Sequence, residues 1–182
     1  AAMNYILRYL RWSYYLKVLN IRVPLGLNCL VFLSGLAMSI TPGKAGEFLK
    51  SYLLRDRASV PVARSAPIVV MERLTDVVSV VLLAAIGLAS LPLYLMIILA
   101  AALLLCFAAL ALFASRSGGR VLDLPVIRKW KTDLESSHDG LRRLAAPKVM
   151  VLAVSLGLAA WLSEGIALWL ILRGLESSTP IT

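Results

Sequence analysis

Between Val77 and Ser115 the chain runs for 39 residues without a charged side chain, and the turn before that run holds Glu72, Arg73 and Asp76. At about 1.5 Å per residue such a run would extend roughly 58 Å as helix, close to twice the roughly 30 Å of bilayer hydrocarbon. It therefore reads as two membrane spans, 64–90 and 92–114, with a tight turn near Ser90 to Pro92. Proline breaks the helix there because it lacks an amide hydrogen and disfavours helical geometry in the residue before it. If the hydrocarbon began only after Asp76, Val77 to Leu91 would supply about 22 Å of helix, too short to cross. The charged cluster must then lie at least partly within the membrane.

The composition agrees, since 60% hydrophobic and 16% charged residues, with a mean hydropathy of +0.84, leave too little polar surface for a soluble domain of this length. A third span, 149–172, is interrupted only by Glu164. Val23 to Ile40 is uncharged but marginal in length for a crossing. The segments 1–22, 41–65 and 116–148 hold 17 of the 19 basic residues, and Lys and Arg concentrate in cytoplasmic loops. Placing all three on one side requires Val23 to Ile40 to enter and return, giving a re-entrant hairpin over 23–56. Its non-helical break at Thr41-Pro42-Gly43 would have to be buried in protein or line a wet cavity. The expected architecture is an all-α, polytopic helical membrane protein with a re-entrant helical hairpin. Residues 1–182 form one integral membrane domain, with 1–22 an interfacial arm, marked by Tyr5, Tyr9, Trp12 and Leu16, and 116–148 a basic cytoplasmic loop.

Several residue groups could carry chemistry. Thr41 can cap a helix beginning at Pro42, leaving free amides at Gly43 and Lys44 where an anion such as a phosphate is favoured. Gly43 and Gly46 permit close approach, and Glu47 offers a carboxylate one turn on. The alternative is a plain Pro-Gly turn at the membrane surface. Unpaired charges at depth cost about 2.5–3.5 kcal/mol each, so Glu72, Arg73 and Asp76 should be paired. Arg73 and Asp76 share a face at i,i+3, and Glu72 is left to meet Lys50 or Arg55 from the hairpin. Such pairs serve either as glue between helices or as a substrate or ion pathway. Glu164, between Trp161 and Trp169, is expected to face the bundle, and the Ser155, Ala159, Ser163, Ala167 stripe to pack against another helix.

Other classes find no support. Cys29 and Cys106 lie apart in apolar stretches, His138 is alone, and no nucleophile elbow, dinucleotide fingerprint or P-loop spacing occurs, so no cofactor is expected. The net charge of +9 is accounted for by topology and anionic headgroups, without nucleic acid as a partner.

Three motifs in order, Arg8-Tyr-Leu-Arg11-Trp12, Ser39-Ile-Thr41-Pro42-Gly43-Lys44-Ala45-Gly46-Glu47 with Leu53-Leu54-Arg55, and Val70-Met-Glu72-Arg73-Leu74-Thr-Asp76, resemble the transmembrane family of lysylphosphatidylglycerol synthases, the flippase-like domain. Ala160-Trp161-Leu162-Ser163-Glu164 with Leu172-Arg173-Gly174-Leu175 extends the resemblance over nearly the whole chain. Members are usually longer, so the resemblance implies a fragment of a longer protein, without the cytosolic aminoacyl-transfer domain. It implies a multi-pass plasma-membrane protein, not itself an enzyme, that binds or translocates an anionic or polyprenyl-phosphate-linked lipid. The substrate-binding set would be Thr41, Pro42, Gly43, Lys44, Gly46, Glu47, Lys50, Arg55, Glu72, Arg73, Asp76 and Glu164. Rival readings are a membrane anchor or substrate-feeding partner for an aminoacyl or glycosyl transferase, and a scaffold whose charges only pack helices.

Overall fold

The computed structural model describes residues 2–38, 47–87 and 131–176, together with nine helical positions between 94 and 108. The break at Thr41 to Gly46, the turn at Ser90 to Pro92, the basic segment 116–130 and much of the 92–114 span lie outside the described residues. What is described is helical throughout: α1 (Ala2–Val18), α2 (Leu25–Ala37), α3 (Leu49–Ala58), α4 (Val62–Gly87), α5 (Lys131–Leu144) and α6 (Pro147–Glu176).

Local chemistry sets the helix ends. Asn20 and Ser59 take positive φ (54° each) just past α1 and α3, the left-handed geometry that closes a helix C-terminus. Ser59 and Val60 both return their amides to Leu54 O, and Pro61 follows, unable to continue the helix. Arg64 of α4 donates Nη2 to Leu19 O at 3.0 Å, answering a carbonyl at the end of α1. Pro147 opens α6, where a missing amide hydrogen costs nothing. Inside α4, Pro67 deprives Ala63 O of its helical partner, and Ser137 Oγ of α5 donates to that oxygen instead, at 2.7 Å.

These contacts bring the α1/α2, α3/α4 and α5/α6 junctions to one end of the bundle, over a core of Leu19, Ile21, Leu54, Val60, Ile68, Leu144 and Val149. The described basic residues of the junctions, including Lys17, Arg22, Arg64, Arg142, Arg143 and Lys148, gather with them. α2 starts and α3 finishes at this end and the two pack together, so they run antiparallel, with Met38 and Glu47 on the side away from the junctions. The 26 residues of α4 extend about 39 Å, meeting Lys50 of α3 at Glu72.

α6 is the one described helix that is long and apolar enough to cross a bilayer, over Pro147–Leu175 (29 residues, mean hydropathy 1.8). Only 22% of its apolar window is buried within the molecule, the reverse of a soluble core helix. Ile166, Leu168, Trp169, Leu170, Ile171 and Leu172 are all exposed, a ring of apolar side chains suited to lipid. The packing face of α6 is also phased differently from the stripe expected at Ser155 and Ala159, both of which are exposed. Burial falls instead on Ala153, Gly157 and Ala160. At Gly157 a Cβ would collide with Ser79 and come within 3.0 Å of Arg11 Nη1, so the small side is the one facing α4 and the guanidinium.

Candidate functional site

Four helices carry charge into the middle of the bundle. α4 contributes Glu72, Arg73 and Asp76, the turn before α3 contributes Glu47, α3 contributes Lys50, and α1 contributes Arg8 and Arg11. α6 adds Glu164, expected from the sequence to face the bundle but in fact an exposed residue at the edge of the cluster, where its carboxylate accepts from Asn4 of α1. Counted from the helix ends at the basic junctions, Lys50, Glu72 and Arg8 are eight, ten and ten residues deep, or about 12–15 Å each. The three levels coincide because they are bound to one another.

Two pairs cross between α3 and α4 with opposite polarity. Lys50 Nζ donates to Glu72 Oε2 at 2.7 Å, with side-chain exposures of 5% and 3%. Arg73 Nη2 lies 2.9 Å from Glu47 Oε2 and 3.2 Å from Asp76 Oδ2 on its own helix. A base and an acid on each side fix the register of α3 against α4, since sliding one turn would bring like charges together. Both the i,i+3 pairing of Arg73 with Asp76 and the pairing of Glu72 with Lys50 match the sequence expectation. Arg55 does not join: it is exposed on α3 and forms no ion pair among the described residues. Glu47, Lys50, Glu72, Arg73, Asp76 and Glu164 thus converge, whereas Thr41, Pro42, Gly43, Lys44 and Gly46 fall outside the described residues.

Sequence reasoning missed the arginines of α1. Arg11 Nη2 donates to Asp76 Oδ1 at 2.6 Å and Nη1 to Thr75 Oγ1 at 3.3 Å, while Arg8 Nη2 donates to Asp76 Oδ2 at 3.1 Å. Asp76 therefore accepts from both α1 arginines on separate oxygens, and Arg11 is buried. The signal was present: Asn4, Arg8, Arg11 and Tyr15 recur at i, i+4, i+7 and i+11, one polar stripe on a helix. The aromatic spacing of Tyr5, Tyr9, Trp12 and Leu16 drew attention to the adjacent face, but Tyr5 is exposed.

Neutral groups hold the charged ones in place. Trp12 Nε1 donates to Asn28 Oδ1 at 2.8 Å, and Asn28 Nδ2 donates to Ser13 Oγ at 3.0 Å, tying α2 to α1. The fixed indole and Phe32 flank the Lys50 ammonium, 4.7 and 5.4 Å from the ring centroids, within cation–π range. Gly35 gives the Lys50 stem its passage, because a Cβ there would strike the side chain. Arg8 lies over the Trp161 ring at 5.7 Å.

A cavity of about 150 Å³ opens among these residues, lined by Asn4, Arg8, Glu47, Lys50, Arg73 and Glu164 with others of α1 and α2. Lys50 and Glu72 on its wall saturate each other. Arg73 and Arg8 are more open, at 33% and 19% side-chain exposure, and their buried Nε–H groups meet no acceptor among the described residues. Guanidinium groups with free donors bind phosphate and carboxylate oxygens well. No cluster of metal-ligating side chains occurs among the described residues.

No curated relative and no solved structure matches the chain. The family described as the lysylphosphatidylglycerol synthase TM region matches residues 1–182, the whole chain. An all-helical bundle, an apolar helix bare to its surroundings and a buried ion-pair network carried on the matching motifs belong together, and the chain is a member of that family of membrane domains.

Proposed function

We propose that this flippase-like domain binds and translocates an anionic or polyprenyl-phosphate-linked lipid, acting as a carrier and not as a catalyst, in a multi-pass plasma-membrane setting. The observation that carries the reading is the cavity at mid-depth, where Arg8 and Arg73, the more open members of the ion-pair network, each keep an Nε–H without an acceptor among the described residues. Charged groups within a membrane face the bundle interior, pair with one another and mark substrate pathways. Here the headgroup would replace water and carboxylate oxygens around Arg73 and Arg8 while its acyl chains follow the apolar faces of α2 and α6.

The hairpin supports the same reading. α2 has 13 residues, about 20 Å of helix, too short to cross. With both of its ends tied to the basic junction end, α2–α3 enters the hydrocarbon and returns, delivering Glu47 and Lys50 to the midplane. The basic junctions then face the cytoplasm together, as charge bias requires. The phosphate would meet Lys44 and the amides after Pro42, and the network would shelter it from the acyl chains.

The test is transport by protein reconstituted in vesicles with a fluorescent anionic lipid. Arg73→Ala and Glu47→Ala should each abolish translocation while the helical signal and elution volume stay unchanged. Unchanged transport in both variants would reject the reading.

A further inference from the structure

Among the acids lining the cavity, Glu47 faces Arg73 and Glu72 faces Lys50, but Glu164 forms no ion pair among the described residues. Its contact is an amide: Asn4 Nδ2 donates to Glu164 Oε2 at 3.2 Å and to Ala160 O at 3.0 Å. Both hydrogens of that amide are therefore spent, and Asn4 is itself buried. Such an anchor orients a carboxylate without neutralising it. One turn before Glu164, the Trp161 ring lies beneath the Arg8 guanidinium, so the carboxylate and the more open cation line the same small cavity.

The charges explain why this matters. Arg8, Arg11, Lys50 and Arg73 face Glu47, Glu72 and Asp76, leaving one positive charge in excess among the described residues of the network. Glu164 is the nearby negative charge that offsets it. A site made only of the excess cations would hold an anion tightly, and conduction through a binding site requires that the guest also leave.

We infer that Glu164 is a specificity-determining residue: oriented by Asn4 and without an ion pair among the described residues, its carboxylate opposes the arginines in the cavity and weakens the hold on an anionic headgroup enough for release. This inference rests on the lipid-binding reading above. It assigns Glu164 the opposite sign of effect from the arginines, although all line one cavity.

The experiment measures binding of the purified chain in neutral detergent to two fluorescent probes, phosphatidylglycerol with one negative charge and phosphatidylcholine with none. Wild type is compared with Glu164→Gln, which keeps an oxygen to accept from Asn4, and Glu164→Asp, which keeps the charge. Removing a unit charge from the cavity wall, discounted for the exposure of Glu164, should tighten phosphatidylglycerol binding by roughly three- to tenfold. Phosphatidylcholine binding should stay within about twofold, and Glu164→Asp should bind both probes like wild type. The dissociation rate of phosphatidylglycerol from Glu164→Gln should fall in proportion. Equal phosphatidylglycerol affinity in wild type and Glu164→Gln would overturn the inference. So would weaker binding by Glu164→Gln, because Glu164 would then be holding a cationic part of the guest. A wild type with no preference for phosphatidylglycerol over phosphatidylcholine would instead remove the lipid-binding reading beneath it.

Discussion

Arg11 and Asp76 meet at 2.6 Å with 2% and 7% of their side chains exposed, whereas Arg57 and Asp56 meet at 3.1 Å with 68% and 56% exposed. The residue types are the same and the surroundings are not. At the exposed pair, water serves either partner when the other is lost, so the contact is worth about 0–1 kcal/mol. At the buried pair no water stands ready, and removing one partner strands a charge at a cost of about 3–5 kcal/mol. Charge in the middle of this bundle is therefore structural, while exposed charge contributes little to stability.

The largest effect should come from Asp76→Asn, which leaves Arg8, Arg11 and Arg73 without their shared carboxylate. Thermal unfolding in detergent should report a loss of about 3–5 kcal/mol. A loss below 1 kcal/mol would erase the distinction between the two regions. The reciprocal pairing of α3 with α4 offers the next test. Lys50→Glu should destabilise by several kcal/mol through contact with Glu72, and the exchange Lys50→Glu with Glu72→Lys should recover at least half of that. If the double variant is no better than the sum of the singles, the pair does not set the register. Ser137→Ala unmakes the bond to the carbonyl that Pro67 leaves free, and should cost about 1–3 kcal/mol, visible as faster amide exchange at the start of α4. Smallest of all, Arg57→Ala should shift stability by less than about 0.5 kcal/mol.

The parts of this arrangement that could be read from sequence are those with a local cause. Arg73 and Asp76 are bound by helical spacing, and the cost of an unpaired acid at depth is enough to send Glu72 to the hairpin for Lys50 or Arg55. The all-helical architecture followed from uncharged lengths. What escaped depends on rotation of whole helices. In α1 an aromatic stripe and a polar stripe lie side by side, and only packing decides that both are buried, Trp12 and Leu16 as well as Arg11, with the polar one turned to α4 and α6. In α6 two small-residue stripes compete, and the bulk of Arg11 and the Ser79 hydroxyl select Ala153, Gly157 and Ala160 over Ser155 and Ala159. Arg55 was offered to Glu72 on equal terms with Lys50, but five residues further along α3 its side chain emerges on the exposed face.

The central claim is that the ion-pair network lies level with the bilayer interior, and the exposed apolar positions beside it test that directly. Val70 and Val77 of α4 bracket the cluster and are 46% and 40% exposed on the chain. With Cys29 and Cys106 replaced by serine, single cysteines at Val70, Val77 and Arg57 would be treated with a membrane-impermeant maleimide in sealed and in opened vesicles. The account predicts that the Val70 and Val77 positions stay unlabelled in both preparations while the Arg57 position reacts whenever its side of the membrane is open. Labelling of Val70 and Val77 as fast as the Arg57 position would place the network in water and contradict it.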